Sequence, residues 1–305
     1  MLSTRRRFLK RAAAAATLLA AHPRLARASQ GGPLSLGFSL YGMKSLPVEE
    51  AIATCARIGY RNVELSLLPG FPTEPKLLTP ALRSQVRKNL SDHRLSASAL
   101  LGSFSLAATP AVHADTLDVF RRIAEFTHEL NTASPPLLQT TLGGTPADWP
   151  AQRSLMVDRL GEWNRVAEAT GLSIAIKAHV NHAVNTPDRL LTLLRETAGS
   201  RISVVYDHSH FALAGFSIEE SLRPLAPFTR YVHVKEATGT PQAVRFLLPG
   251  EGTTDFGAYF RLLTSLGYRG PVVAEVSAQI STRPGYDPVA AAERCHRALA
   301  PALPA

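Results

Sequence analysis

Cysteine is nearly absent: Cys55 and Cys295 are the only two in 305 residues. That excludes a scaffold built on disulfides. Two buried free thiols are expected, and a single bridge stays open if the first and last helices are neighbours. Apolar length is also lacking, since the run near the N-terminus is too short to span a bilayer as a permanent helix. The first 28 positions lack any acidic residue, while Arg5, Arg6, Arg7, Lys10, Arg11, Arg24 and Arg27 all fall there. The formal charge of +9 drops to +2 without these seven, so the rest of the chain carries no basic excess that would suit a nucleic acid. No glycine-rich dinucleotide fingerprint follows the first strand-like run. What remains is an ordinary globular composition, 45% hydrophobic and 19% charged, long enough for one large domain or two small ones.

The N-terminal stretch reads as an address. "STRRRFLKRAAAAATLLAAHPRLARA" has a basic start, an apolar run, and small residues at Ala26 and Ala28 in the order of an export signal. "TRRRFLK" resembles the twin-arginine motif. That resemblance implies a signal over residues 1–28, the twin-arginine (Tat) translocase as a partner, and a periplasmic or exported location. The protein would cross already folded, and residues 29–305 would form the mature domain.

Beyond about residue 33, short β-prone runs alternate with longer amphipathic ones. "LSLGFSL", "NVELSLL", "SASALLG", "PPLLQTTLGG", "LSIAIK", "RISVVYD", "TRYVHVKE" and "GPVVAEVS" read as strands. Helical runs follow each, several opened by Thr-Pro or closed by glycine. Eight strand–helix units of about thirty residues predict parallel strands with helical crossovers. The fold class expected is α/β, a closed (β/α)8 TIM barrel, with a doubly wound sheet as the alternative.

In such a barrel the site lies at the C-terminal ends of the strands. Those ends supply Glu64; Lys177, followed by His179, Asn181 and His182; Asp207 and His210; His233, Lys235 and Glu236; and Glu275. An ionisable group at the end of an apolar strand is costly unless paired, metal-bound or wet. Two readings stay open. Asp207, His233 and Glu275 suit a divalent ion such as Mn²⁺, Mg²⁺, Co²⁺ or Zn²⁺. Alternatively, Asp207 and Glu275 pair with Lys177 and Lys235 to hold the barrel mouth together. "LPGEGTTDF" and Gly143-Gly144 are sufficiently explained as turns. His93, His113 and His128 are expected on helix surfaces, and Trp149 and Trp163 in packing.

The stretches "VVYDHSHF", "YVHVKE" and "LPGEGTTDFGAYFRLLTSLGYRGPVVAEVS" resemble the xylose-isomerase-like TIM-barrel family of sugar phosphate isomerases and epimerases. The resemblance covers nearly the whole mature chain. It implies one divalent metal held by a strand-five glutamate, a strand-six aspartate, a strand-seven histidine and a strand-eight glutamate. The last three match Asp207, His233 and Glu275, and His210 matches a histidine that contacts substrate. The strand-five glutamate is replaced by Lys177. This swap changes the site by two charge units, so Lys177 either stands in for the metal or sits beside one held by the three remaining ligands.

The resemblance implies proton abstraction beside a sugar carbonyl, with a cation stabilising the enediolate. Glu275, His210 or a neutral Lys177 would take the proton. His179, His182, Lys235 and Glu64 would contact a small sugar or keto-sugar. An isomerase or epimerase is the first reading. A 3-keto-glycoside type lyase or hydratase and a non-catalytic sugar-binding barrel are the alternatives. A DNA-repair endonuclease of the same fold is disfavoured by the export signal and the small mature charge.

Overall fold

Three of the amphipathic runs begin Thr-Pro, and each is a helix for the same local reason. Thr79, Thr109 and Thr186 accept a hydrogen bond from the backbone N–H three residues on, while the proline fills the first helical position without wasting a donor. Gly59, at a φ of 111°, closes the first helix in the left-handed region that favours glycine. These caps punctuate the chain into the predicted strand–helix alternation. In the computed structural model, residues 33–197 and 199–304 are described. The expected export signal over residues 1–28 lies outside them.

The strands in chain order are β1 (Ser35–Ser39), β2 (Asn62–Ser66), β3 (Ser96–Ser103), β4 (Leu137–Thr141), β5 (Ile174–Lys177), β6 (Ile202–Asp207), β7 (Thr229–Val234), β8 (Glu236–Thr240), β9 (Ala243–Leu247) and β10 (Pro271–Ala274). The first seven and β10 are all parallel and close into a barrel, β10 pairing with both β7 and β1. The helices are α1 (Val48–Ile58), α2 (Pro80–Asp92), α3 (Pro110–Leu130), α4 (Trp149–Thr170), α5 (Pro187–Glu196), α6 (His208–Leu213), α7 (Ile218–Leu225), α8 (Phe256–Ser265), α9 (Ala278–Ser281) and α10 (Pro288–Leu299). The (β/α)8 expectation is met. No helix among the described residues is long and apolar enough to cross a membrane.

Inside the barrel, Ala99, Ala175, Val205, Tyr231 and Val273 form a small cluster of their own, apart from the large core. Each comes from a different strand. Side chains two residues apart on a strand share a face. Lys177, Asp207, His233 and Glu275 therefore stand one step further along the same inward rows, directly above this apolar plug.

Three features depart from the sequence reading. "TRYVHVKE" is not one strand: β7 stops at Val234, and Glu236 opens the antiparallel hairpin β8–β9. The cause is the Glu236 carboxylate, which accepts backbone N–H groups of Gly250, Gly252 and Thr254 at 2.7, 2.9 and 2.8 Å. "LPGEGTTDF" is thus a loop wrapped around a buried carboxylate; a Cβ at Gly252 would lie 2.5 Å from its Oε1. Helix α6 starts directly after Asp207, because one oxygen of that residue accepts the Ser209 N–H. His113 is not a surface residue: it is buried on α3 with Nε2 2.6 Å from Glu162 of α4. Trp163 lies fully buried in the core and Trp149 packs under Arg189, as expected. Cys55 and Cys295 are buried free thiols on α1 and α10, which pack against each other.

Candidate active site

Seven ionisable residues converge at the C-terminal mouth. Lys177, at the end of β5, directs its Nζ to both carboxylate oxygens of Glu275, at 3.1 and 3.0 Å. It also lies 3.1 Å from His233 Nδ1 and 3.8 Å from Asp207 Oδ2. Lys235, just past β7, donates to Glu275 Oε2 at 2.5 Å and to Asp207 Oδ2. His210 Nε2 is 3.5 Å from Asp207 Oδ2. On the far side, His233 Nε2 meets Glu64 Oε2 at 2.9 Å, and Ser39 donates to Glu64 Oε1 at 2.6 Å. The pairs of Asp207 and Glu275 with Lys177 and Lys235 are thus present in one cluster.

Its electrostatics follow from burial. Burial alone would raise the Glu275 carboxyl, but Lys177 and then Lys235 hold it well below the usual range. Asp207 is likewise driven down against burial, by Lys235 first. Burial opposes the charge on Lys235, yet Asp207 and Glu275 raise its pKa above the ordinary lysine value. Burial also opposes protonation of His233, and Glu64 raises it nonetheless. Lys177 Nζ and His233 Nδ1 meet at 3.1 Å, and the Glu275 carboxylate reaches both. With Lys177 as the ammonium, Nδ1 accepts from it and Nε2–H donates to Glu64.

Above the cluster opens a cavity of about 240 Å³ lined by Lys177, Lys235, Glu275, His179, His182 and His210, with Tyr41, Gln139 and Phe246. That is below the roughly 300–1,000 Å³ of drug-sized ligand sites, so the occupant is small. His179 packs between His182 and His210 in tilted contacts, with centroids 4.4 and 4.2 Å apart. Burial pushes the His179 imidazole down to about 3 and His210 well below its ordinary value, so both are neutral donors or acceptors. Gln139, 1% exposed, has an Oε1 with no hydrogen-bond partner among the described residues.

The sequence-selected residues divide accordingly. Lys177, Lys235, Glu275, His179, His182 and His210 face the cavity. Asp207 and His233 lie beneath its floor. Glu64 is a correction: it is fully buried and bound by Ser39 and His233, so it does not reach substrate. Sequence reasoning missed Tyr41, Gln139 and Phe246. Tyr41 follows the end of β1 and so carried the strand-end signal, whereas Phe246 arrives on the unforeseen hairpin. Its ring covers Lys235 at 5.3 Å and abuts His210 at 5.3 Å.

Asp207, His233 and Glu275 each offer one ligand atom within 4.8 Å of the others, a candidate metal site. A dication bonded to all three at about 2.0–2.2 Å would have to sit among atoms that Lys177 Nζ already contacts. An ammonium and a dication do not share one point, and Lys235 adds a second cation to the same carboxylates. With both lysines so placed, the residues do not fit a metal.

A closed parallel barrel that gathers ionisable groups around a small cavity at this mouth is built as a small-molecule site. The chain belongs to the xylose isomerase-like TIM barrel family, whose profile matches residues 52–298. An inosose dehydratase of Geobacillus thermodenitrificans (strain NG80-2) is 24% identical over 257 residues, covering 74% of this chain and 81% of the relative. An L-ribulose 3-epimerase of Methylomonas sp. (strain DH-1) is 25% identical over 237 residues, covering 74% and 77%. A crystal structure of the IOLI protein with a bound zinc atom superposes with a TM-score of 0.74 at 18% identity, covering 89% of this chain and all of that one.

Proposed function

We propose that this chain is an enzyme that removes a proton next to the carbonyl of a small keto-sugar or keto-polyol, and that elimination of water follows. The observation that carries the reading is the pair of ammonium groups, Lys177 and Lys235, bound to one carboxylate, Glu275, on the floor of a sugar-sized cavity. The relatives named as an inosose dehydratase and a ribulose epimerase support the same opening step.

In that step the C–H bond beside the carbonyl breaks. Its proton goes to Glu275 and its electron pair to the carbonyl oxygen, which becomes an oxyanion facing the lysines. Fixed positive charge in a dry site stabilises that oxyanion strongly. As the enolate collapses, the β-hydroxyl leaves with the proton carried by Glu275, so water departs and the carboxylate is restored. One carboxylate serves both transfers, as the substitution of lysine at the end of β5 requires. Lys235 and Lys177 depress the Glu275 pKa in the resting site, and the negative charge gained by the substrate compensates the lysines once Glu275 is protonated. His179, His182 and the unpartnered Gln139 Oε1 orient hydroxyl groups. His210 is tied to Asp207 and to the Val180 N–H, so it positions rather than abstracts.

Epimerisation is the second reading, supported by the relative named as an L-ribulose 3-epimerase. Incubating keto-sugars and inososes in D₂O separates the cases. Deuterium uptake beside the carbonyl with loss of water supports dehydration, and uptake with inversion alone supports epimerisation. No uptake across the panel with folded protein would refute the reading.

A further inference from the structure

We propose that the side-chain ammonium of Lys177 occupies the place of a divalent ion, so that this chain works without metal at its barrel mouth.

The three groups that would ligate a metal are present and correctly turned. The Glu275 carboxylate presents both oxygens to Lys177, at 3.1 and 3.0 Å. His233 presents Nδ1, its ring fixed from behind by Glu64 at 2.9 Å, which Ser39 anchors in turn. A carboxylate behind a histidine is the arrangement that orients imidazole toward a metal. Here it orients the ring toward a nitrogen. Asp207 completes the ring at 3.8 Å, its other oxygen spent on Ser209.

Charge points the same way. The Asp207 and Glu275 carboxylates already face two lysine amines, Lys177 and Lys235. Adding a dication on top would leave a buried excess of positive charge with no partner, which a low-dielectric site resists. Lys177 is 4% exposed.

The claim that the ammonium does the work of a Lewis acid in turnover rests on the reaction proposed above. The claim that the site excludes metal does not, and it is tested by binding alone. Full-length protein, stripped with chelator, is titrated with Mn²⁺ by calorimetry and electron paramagnetic resonance, beside Lys177→Glu and Lys177→Glu/Asp207→Asn. The Glu variant removes the occupying cation and supplies another oxygen donor. Expected is no stoichiometric site in the parent, one Mn²⁺ per chain in Lys177→Glu at least about 100-fold tighter, and loss of that site in the double variant. One tightly held divalent ion per chain in the parent would overturn the proposal, as would equal affinity in parent and Lys177→Glu. Should the variants fail to fold, the parent titration decides alone. A metal-free parent that also shows no deuterium exchange keeps this inference and discards the reaction.

Discussion

Replacing Lys235 with methionine tests the charge balance of the mouth most directly. The substitution keeps chain length and apolar bulk and deletes one positive charge. In the parent, Lys235 Nζ lies 2.5 Å from Glu275 Oε2 and also binds Asp207, with all three side chains under 10% exposed. At 2.5 Å and an effective dielectric of about 20, the attraction to Glu275 alone is roughly 7 kcal/mol. Desolvation of the three ions offsets much of it, and breaking such a buried pair by removing one partner costs about 3–5 kcal/mol. For a domain of this size that is a fall in Tm of about 10 °C. Urea unfolding at pH 7 measures the free energy, with an unchanged slope excluding a change in compactness. Adding Asp207→Asn to Lys235→Met neutralises one orphaned carboxylate, so the double variant loses about 1–3 kcal/mol less than the sum of the singles. A single-variant loss below about 1 kcal/mol, or strict additivity, would refute the idea that Lys235 neutralises these two groups.

Acid should unfold the protein through the same groups. Asp207 and Glu275 have folded pKa values below their unfolded values of about 3.9 and 4.3, so the stability they contribute is present above about pH 4 and lost as pH falls below it. Asp207→Asn should flatten that acid limb in a stability–pH series, and an unchanged limb would count against it. Gln139→Leu should raise KM for the hydroxylated substrate about tenfold or more while leaving stability equal or higher, since its Oε1 is buried without a partner. Unaltered KM would remove Gln139 from the site. Gly252→Ala should disturb the Glu236 loop by a clash at 2.5 Å, seen as faster amide exchange at Gly250 and Thr254. Protection equal to the parent would show that the loop does not depend on that close approach.

The barrel was legible because its signals are local: β-prone runs alternate with amphipathic ones, several opened by Thr-Pro or closed by glycine. The site was legible because a parallel barrel puts strand ends together, so Lys177, Asp207, His233 and Glu275 could be gathered from position alone. Depth was not legible. Glu64 has the same strand-end signature as Glu275, yet its partners Ser39 and His233 pull it beneath the floor. Nor was the break in "TRYVHVKE", because it depends on Glu236 meeting backbone donors fourteen to eighteen residues away. His113 looked superficial because nothing near it in the chain announces Glu162, 49 residues on. Long-range hydrogen-bond partners, not propensities, separate the errors from the successes.

The hairpin β8–β9 roofs the cavity with Phe246 and is clamped at its base by Glu236. It belongs to none of the eight repeating units. Evolution could therefore lengthen, shorten or recolour this flap without disturbing the charged groups below. A scaffold of that design lets the roof over the cavity vary while the ion cluster in its floor stays fixed.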